Sequence, residues 1–249
     1  MNQIEISQLD GLVFMGKQKS ASVDVIITDP PYWTLDKWRK MGTTTRLGGH
    51  REEGKRRNEM WFPTIDCQYL WKWFLEADRV LKENGHLYVF CDDIVQPVLC
   101  NWVRESTEHK FEECHTLIWD KLTNGMGYHY RRRYEMILFC YRGKRRLADL
   151  GKPDIIQCKR VTNGYPTEKP EAVVRELVLQ SVRPGDVILD PFAGSGVLGA
   201  ATPPELGCKI LLNDLVDESI TWMKKRLFPS PKTEQLPPLF AAAKANEIL

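Results

Sequence analysis

Four consecutive residues, Asp29-Pro30-Pro31-Tyr32, bring together a carboxylate, two rigid carbonyl-bearing prolines and an aromatic face. They follow Val23–Thr28, an apolar, β-branched run of one buried strand's length. The carboxylate therefore sits at a strand's carboxyl end, where open α/β sheets place their ligands. The prolines fix φ and remove two N–H donors, so the backbone leaves the sheet stiffly with its carbonyls free to accept. This combination suits an amino group on an aromatic ring. Such a nitrogen is a poor nucleophile because its lone pair is delocalised into the ring. Donating its two N–H groups to the Asp29 carboxylate and the Pro30 carbonyl would localise that pair for attack. Tyr32 would offer a flat face to a base swung out of its stack. A plain strand with a Pro-Pro turn has the same composition, so a second motif has to decide.

That motif is Asp190-Pro191-Phe192-Ala193-Gly194-Ser195-Gly196, between a strand expected at 186–189 and a helix. Its glycines let the backbone pass close to a ligand. Gly194, Gly196 and Gly199 satisfy the dinucleotide spacing, but only one clear strand follows, too little for two mononucleotide halves. That strand, expected at 209–212, ends at Asn213-Asp214, where an acid is placed for ribose hydroxyls. Upstream, Thr167-Glu168-Lys169-Pro170-Glu171 opens a helix, with Pro170 suited to the first turn and Glu171 to the positive end of the dipole.

The elements that must position these groups alternate. Residues 68–81 carry Leu70, Trp73, Phe74, Ala77, Val80 and Leu81 at helical spacing, and Asn84-Gly85 is the expected stop. Strands are expected at 85–91, 116–119 and 135–141 and a helix at 94–106, a rhythm that argues a parallel sheet with crossover helices. Pro203-Pro204 cut short the helix after the glycine loop.

The two motifs together resemble the beta-class, circularly permuted DNA amino-methyltransferases, in which the Asp-Pro-Pro-Tyr motif precedes the cofactor motif, as Asp29–Tyr32 precede Asp190–Gly196 here. The resemblance runs from about residue 9 to about residue 227 and is most specific from Pro166-Thr167-Glu168-Lys169-Pro170-Glu171 through the glycine loop. It implies a doubly wound, mostly parallel α/β sheet and S-adenosylmethionine as cofactor. It implies methyl transfer to the N6 of a flipped adenine in DNA, with cytosine N4 as the alternative. Asp29, Pro30, Pro31 and Tyr32 would be catalytic. Asp10, Thr167, Lys169, Asp190, Phe192, Gly194, Gly196 and Asp214 would bind the cofactor, with Asp10 toward the adenine and Asp214 on the ribose. A silent DNA-binding subunit, or a methyltransferase for RNA or protein amides, are the other readings. A partner restriction enzyme and a homodimer are left open.

Composition bounds the rest. The 249 residues are 43% hydrophobic and 27% charged, which fits one substantial α/β domain. By the resemblance, 1–33 and 61–120 would form the catalytic half, 34–60 a basic mobile loop, 121–165 a basic DNA-recognition region, 166–228 the cofactor half and 229–249 a tail. Net charge is only +2, yet 34–60 carries +4 and 121–160 carries +8 against −6 over 61–120. Lys55, Arg56 and Arg57, with Arg131, Arg132 and Arg133, are the candidate phosphate contacts, although solvated loops carry such charge too. The seven cysteines are odd in number and never close-spaced, and the five histidines are scattered, so reduced thiols and no metal are expected. No apolar run approaches the roughly 20 residues of a membrane span, and the first residues are too polar for a signal peptide. The expected place is the cytoplasm of a bacterial host, nucleoid-associated or phage-encoded.

Overall fold

A computed structural model describes residues 1–35, 62–125, 128–162, 165 and 167–229. The expectations for the basic loop at 34–60, including Lys55, Arg56 and Arg57, and for the tail therefore fall almost wholly outside the described residues.

In chain order the elements are β1 (Gln3–Gln8), α1 (Gly11–Gly16), β2 (Val23–Thr28), α2 (Cys67–Val80), β3 (Leu81–Cys91), α3 (Val95–Glu105), β4 (Glu113–Asp120), β5 (Tyr134–Tyr141) and β6 (Ile155–Gln157). Then follow α4 (Glu171–Ser181), β7 (Val187–Asp190), α5 (Val197–Ala201), a 3-10 turn at Pro204–Leu206, β8 (Lys209–Asp214) and α6 (Asp217–Leu227). The eight strands form one sheet in the order β1-β8-β7-β2-β3-β5-β4-β6. From β1 to β3 every pairing is parallel. β5 then runs antiparallel to both β3 and β4, so the expected strand at 116–119 belongs to a mixed flank and not to the parallel core.

Period-2 alternation distributes the strand side chains between two apolar layers. Ile26, Leu87, Val89, Leu138 and Cys140 face the layer of α1, α2 and α3, with Trp73, Phe74 and Leu99. Val25, Ile27, Tyr88, Phe90, Ile137 and Phe139 face the opposite layer, with Val173, Leu177 and Met223 of α4 and α6. Strands covered on both faces read as continuous apolar runs, which is why β2 is buried along its whole length.

Element ends follow local chemistry. Asp66 caps α2, its carboxylate accepting the Tyr69 N–H at 2.7 Å. The helix stops at Val80, four residues before the expected Asn84-Gly85 stop, and the chain enters β3 at once with a register shift opposite Val23 and Val25. Pro170 is the cap of α4 and not its first helical residue. As the Pro203-Pro204 pair requires, α5 is only five residues long.

Candidate active site

All five parallel strands point the same way, so their carboxyl ends line one edge of the sheet. Along that edge stand Asp10 after β1, Asp214 ending β8, Asp190 ending β7, Asp29 after β2 and Asp92 after β3. Strand order breaks from chain order between β7 and β2, the crevice position at which open sheets bind ligands. One buried hydrogen bond crosses it: Thr28 Oγ1 donates to Asp190 Oδ1 at 2.6 Å. The two sequence motifs, more than 150 residues apart, thus meet at adjacent strand ends.

On the cofactor side, Asp190 Oδ1 also accepts the Phe192 N–H at 3.0 Å, pinning the start of the glycine loop. Burial drives the Asp190 carboxyl up to about 7, against the opposing Thr28 and Phe192 hydrogen bonds. Asp214 Oδ2 accepts the Gly194 N–H and its Oδ1 the Val216 N–H, both at 2.9 Å; burial raises this carboxyl too. Gly194 and Gly196 hold φ of +50° and +74°, the left-handed region that favours glycine. At Gly194 a Cβ would stand 3.2 Å from the Tyr165 ring, and at Gly196 one would stand 2.8 Å from Met223 Cγ. Thr167 adopts φ +62°, an uncommon conformation for a β-branched residue. Asp10 caps α1, Oδ1 accepting from the Leu12 and Val13 N–H groups, while Oδ2 accepts the Tyr69 hydroxyl at 2.9 Å.

On the catalytic side, Asp29 does not stand alone. Lys169 Nζ donates to its Oδ2, and the same ammonium lies 3.5 Å from Glu135, which in turn pairs with Lys121 at 2.6 Å. Loss of water raises the Asp29 carboxyl, and Lys169 opposes that rise. Burial also disfavours the Lys169 charge, but Asp29 and Glu135 outweigh it and the ammonium is held more firmly than usual.

Two expectations need correcting. The Pro30 carbonyl accepts the Tyr32 N–H at 3.0 Å and the Pro31 carbonyl the Ile65 N–H at 2.8 Å, so neither is wholly free. Tyr32 is 4% exposed, its hydroxyl donates to the Phe90 carbonyl at 2.7 Å, and the edge of Trp33 meets it at 6.3 Å; its ring face is covered. The arginine run also has partners within the protein, all at the exposed surface. Arg132 grips Asp93 at 2.6 Å through both carboxylate oxygens, Arg133 grips Asp120 at 2.6 and 2.8 Å, and Arg131 donates Nε to the Gly125 carbonyl at 2.7 Å. Beside this run Tyr128 and Tyr130 project fully into solvent.

Sequence reasoning missed four groups that build the site. Asn213, fully buried, accepts the Leu9 N–H and donates to the Leu9 and Pro191 carbonyls, clamping the Asp10 turn to the glycine loop. Glu135 and Lys121 sit on a strand and a loop with no motif around them. Arg226 of α6 pairs with Glu168 and donates to Ser195 Oγ at 3.2 Å, joining the segment before α4 to the glycine loop. The adjacent Asn213-Asp214 pair was the one signal available for any of these. Among the described residues no group of three or more His, Cys, Asp or Glu is placed to hold a metal ion, and no helix is long and apolar enough to cross a membrane.

Comparison with known proteins agrees with this geometry. The family profile of DNA methylases, N6_N4_Mtase, matches residues 23–207. The Type II methyltransferase M2.DpnII of Streptococcus pneumoniae is 25% identical over 256 residues, covering 91% of this chain and 90% of its own. The DNA adenine methyltransferase YhdJ of Escherichia coli K12 is 24% identical over 230 residues, covering 77% of this chain and 71% of its own. The M1.HpyAVI–SAM complex superposes with a TM-score of 0.64 at 20% identity, over 90% of this chain and 100% of that one. The cytosine-N4-specific PvuII DNA methyltransferase gives 0.66 at 13% identity, over 91% and 86%. With the profile spanning both motifs and the sheet between them, the chain belongs to the N6/N4 DNA methylase family.

Proposed function

We propose that this protein transfers a methyl group from S-adenosylmethionine to the exocyclic N6 of adenine in DNA. The observation that carries the reading is the state of the Asp29 carboxylate at the crevice. Its Oδ2 is held by Lys169, while among the described residues no hydrogen bond reaches Oδ1. An ionised carboxylate with one oxygen fixed and one open is built to accept an N–H and return the lone pair to nitrogen. Pro30 keeps a second lone pair on its carbonyl for the other N–H, beyond the one engaged by Tyr32.

The cofactor side fits its group. The glycines at 194 and 196 hold the left-handed φ that turns the loop at the end of β7, and the acids at the ends of β1, β7 and β8 suit hydroxyl and ammonium partners. When bound, S-adenosylmethionine supplies an electrophilic methyl group. The chain's own work is positioning: Asp29 orients the amino nitrogen and the glycine loop brings the donor alongside. The Tyr32 ring lies next to Asp29 and would need to be uncovered to stack on a base.

Adenine is favoured because the motif opens with an aspartate, whereas cytosine enzymes of this kind often open it with serine, and because a relative over most of the chain is named as an adenine methyltransferase. DNA is reached through the recognition region at 121–165, whose exposed Tyr128 and Tyr130 present stacking faces beside Arg131. The role follows the name of the bacterial relative, a Type II methyltransferase. The test is nucleoside mass spectrometry of duplex DNA incubated with the protein and isotopically labelled S-adenosylmethionine. Labelled N6-methyladenine is the expected product. N4-methylcytosine alone would overturn the choice of base, and no labelled nucleoside would overturn the activity.

A further inference from the structure

We infer that Lys169 is the positioning residue of Asp29: it holds Oδ2 so that the carboxylate stays ionised and Oδ1 stays directed at the target amino group. The inference rests on the methyl-transfer reading and assigns Lys169, by its contacts, to the catalytic half and not to the cofactor.

The geometry is a chain of alternating charge. Asp29 after β2, Lys169 before α4, Glu135 on β5 and Lys121 after β4 each touch the next, and no two like charges are neighbours in the series. Lys169 is 11% exposed, lies 5.3 Å from the Phe90 ring centroid, and enters from a backbone stiffened by Pro170 at φ −59°. An ammonium so enclosed cannot wander among partners as a surface lysine does. Glu135 fixes its second direction, and Lys121 keeps Glu135 from drawing it away.

The surroundings explain why Asp29 needs such a partner. Around it, on neighbouring elements, lie Glu135 of β5, Asp190 of β7, Cys91 and Asp92 at the end of β3, the Tyr32 hydroxyl and Tyr165; the cations are Lys169 and Lys121. Without Lys169, water loss and like charge both push Asp29 toward its neutral acid. A neutral carboxyl turns one oxygen into a donor and withdraws the negative charge that localises the amino lone pair. Glu135 acts in the other direction on Asp29, because its charge raises the same carboxyl.

This gives opposite shifts from two neighbouring variants. Single-turnover methyl transfer would be measured from pH 6 to 9 on duplex DNA with saturating S-adenosylmethionine, for the wild type, Lys169→Met, Lys169→Arg and Glu135→Gln. Lys169→Met should move the acid limb of the rate profile to higher pH, losing about 10-fold for each unit that the Asp29 pKa rises above the working pH. Lys169→Arg should restore most of the rate, and Glu135→Gln should move the limb the other way. Cofactor affinity by calorimetry should change less than about 3-fold in Lys169→Met. An unshifted profile, shifts of the same sign in Lys169→Met and Glu135→Gln, or a rate loss matched by lost cofactor affinity would each overturn the assignment. Should Lys169→Met not fold, Lys169→Arg and Glu135→Gln still decide, the first by retained rate and the second by the direction of its shift. A wild-type protein that methylates neither base would instead remove the underlying activity.

Discussion

Replacing Asp190 with asparagine isolates the cost of placing an ionisable acid at the junction of the two motifs. The wild-type carboxyl is 5% exposed and its pKa is raised from 3.8 to about 7, chiefly by burial. A carboxyl raised on folding stays protonated in the native state while the unfolded chain has already ionised. The folded protein therefore binds the extra proton, and stability is full below 3.8 and is lost as pH rises toward 7. Integrated between pH 5 and pH 8, that linkage amounts to about 2 to 3 kcal/mol of lost stability. Asparagine retains an Oδ1 that accepts from Thr28 and from the Phe192 N–H, but it cannot ionise. Urea unfolding of both proteins at half-unit steps from pH 5 to pH 8 should show Asp190→Asn gaining on the wild type across that range. A pH-independent offset reports packing of the amide; only the slope reports ionisation. A stability difference that stays flat within about 0.5 kcal/mol from pH 5 to 8 would refute the argument that this carboxyl is forced toward its neutral form.

Asp29→Ala should lower methyl transfer by at least about 100-fold while calorimetry shows cofactor affinity little changed, since Asp29 lies across the crevice from the glycine loop; substantial residual transfer would show that Asp29 is not the amino acceptor. Gly196→Ala combines φ +74° with a methyl 2.8 Å from Met223 Cγ and should cost about 1 to 3 kcal/mol; an unchanged melting temperature would contradict that crowding. His86 is buried, and desolvation lowers its pKa from 6.5 to about 4, so its stabilising contribution is intact above 6.5 and disappears as pH falls through 4, roughly 3 kcal/mol in all. His86→Gln should accordingly shift the acid-unfolding midpoint downward, and an unmoved midpoint would place the acid sensitivity elsewhere.

The parts of the site legible in the sequence are those in which residue type dictates backbone behaviour. Asp29-Pro30-Pro31 and the Gly194–Gly196 loop announce themselves because proline and glycine restrict or release φ whatever surrounds them. Partners contributed from distant positions do not. Lys169 reads as a cofactor-side residue because of its motif, yet Asp29, 140 positions away, takes its ammonium. The arginine run at 131–133 shows its charge in the sequence but not Asp93 and Asp120, the acids that absorb two of its members. Strand direction was likewise hidden. β4 and β5 have ordinary strand composition, and only their pairing reveals the antiparallel flank. β6, three residues long and half exposed, is too short to show a period.

The pairing of β1 with β8 bears on how the protein is made. Among the described residues, 3–8 find their only strand neighbour at 209–214, and Asn2 is bonded to Thr202, Pro203 and Cys208. A growing chain therefore leaves β1 without this partner until β8 has been synthesised. Contacts closing loops of about 200 residues also raise contact order and slow the final search. The flank formed by β1 and β8 is consequently the last of these pairings to form. An arrested nascent chain that ends before β8 would carry Asp29 and the glycine loop but lack Asp214, the acid that fixes Gly194, and the strand that orders β1.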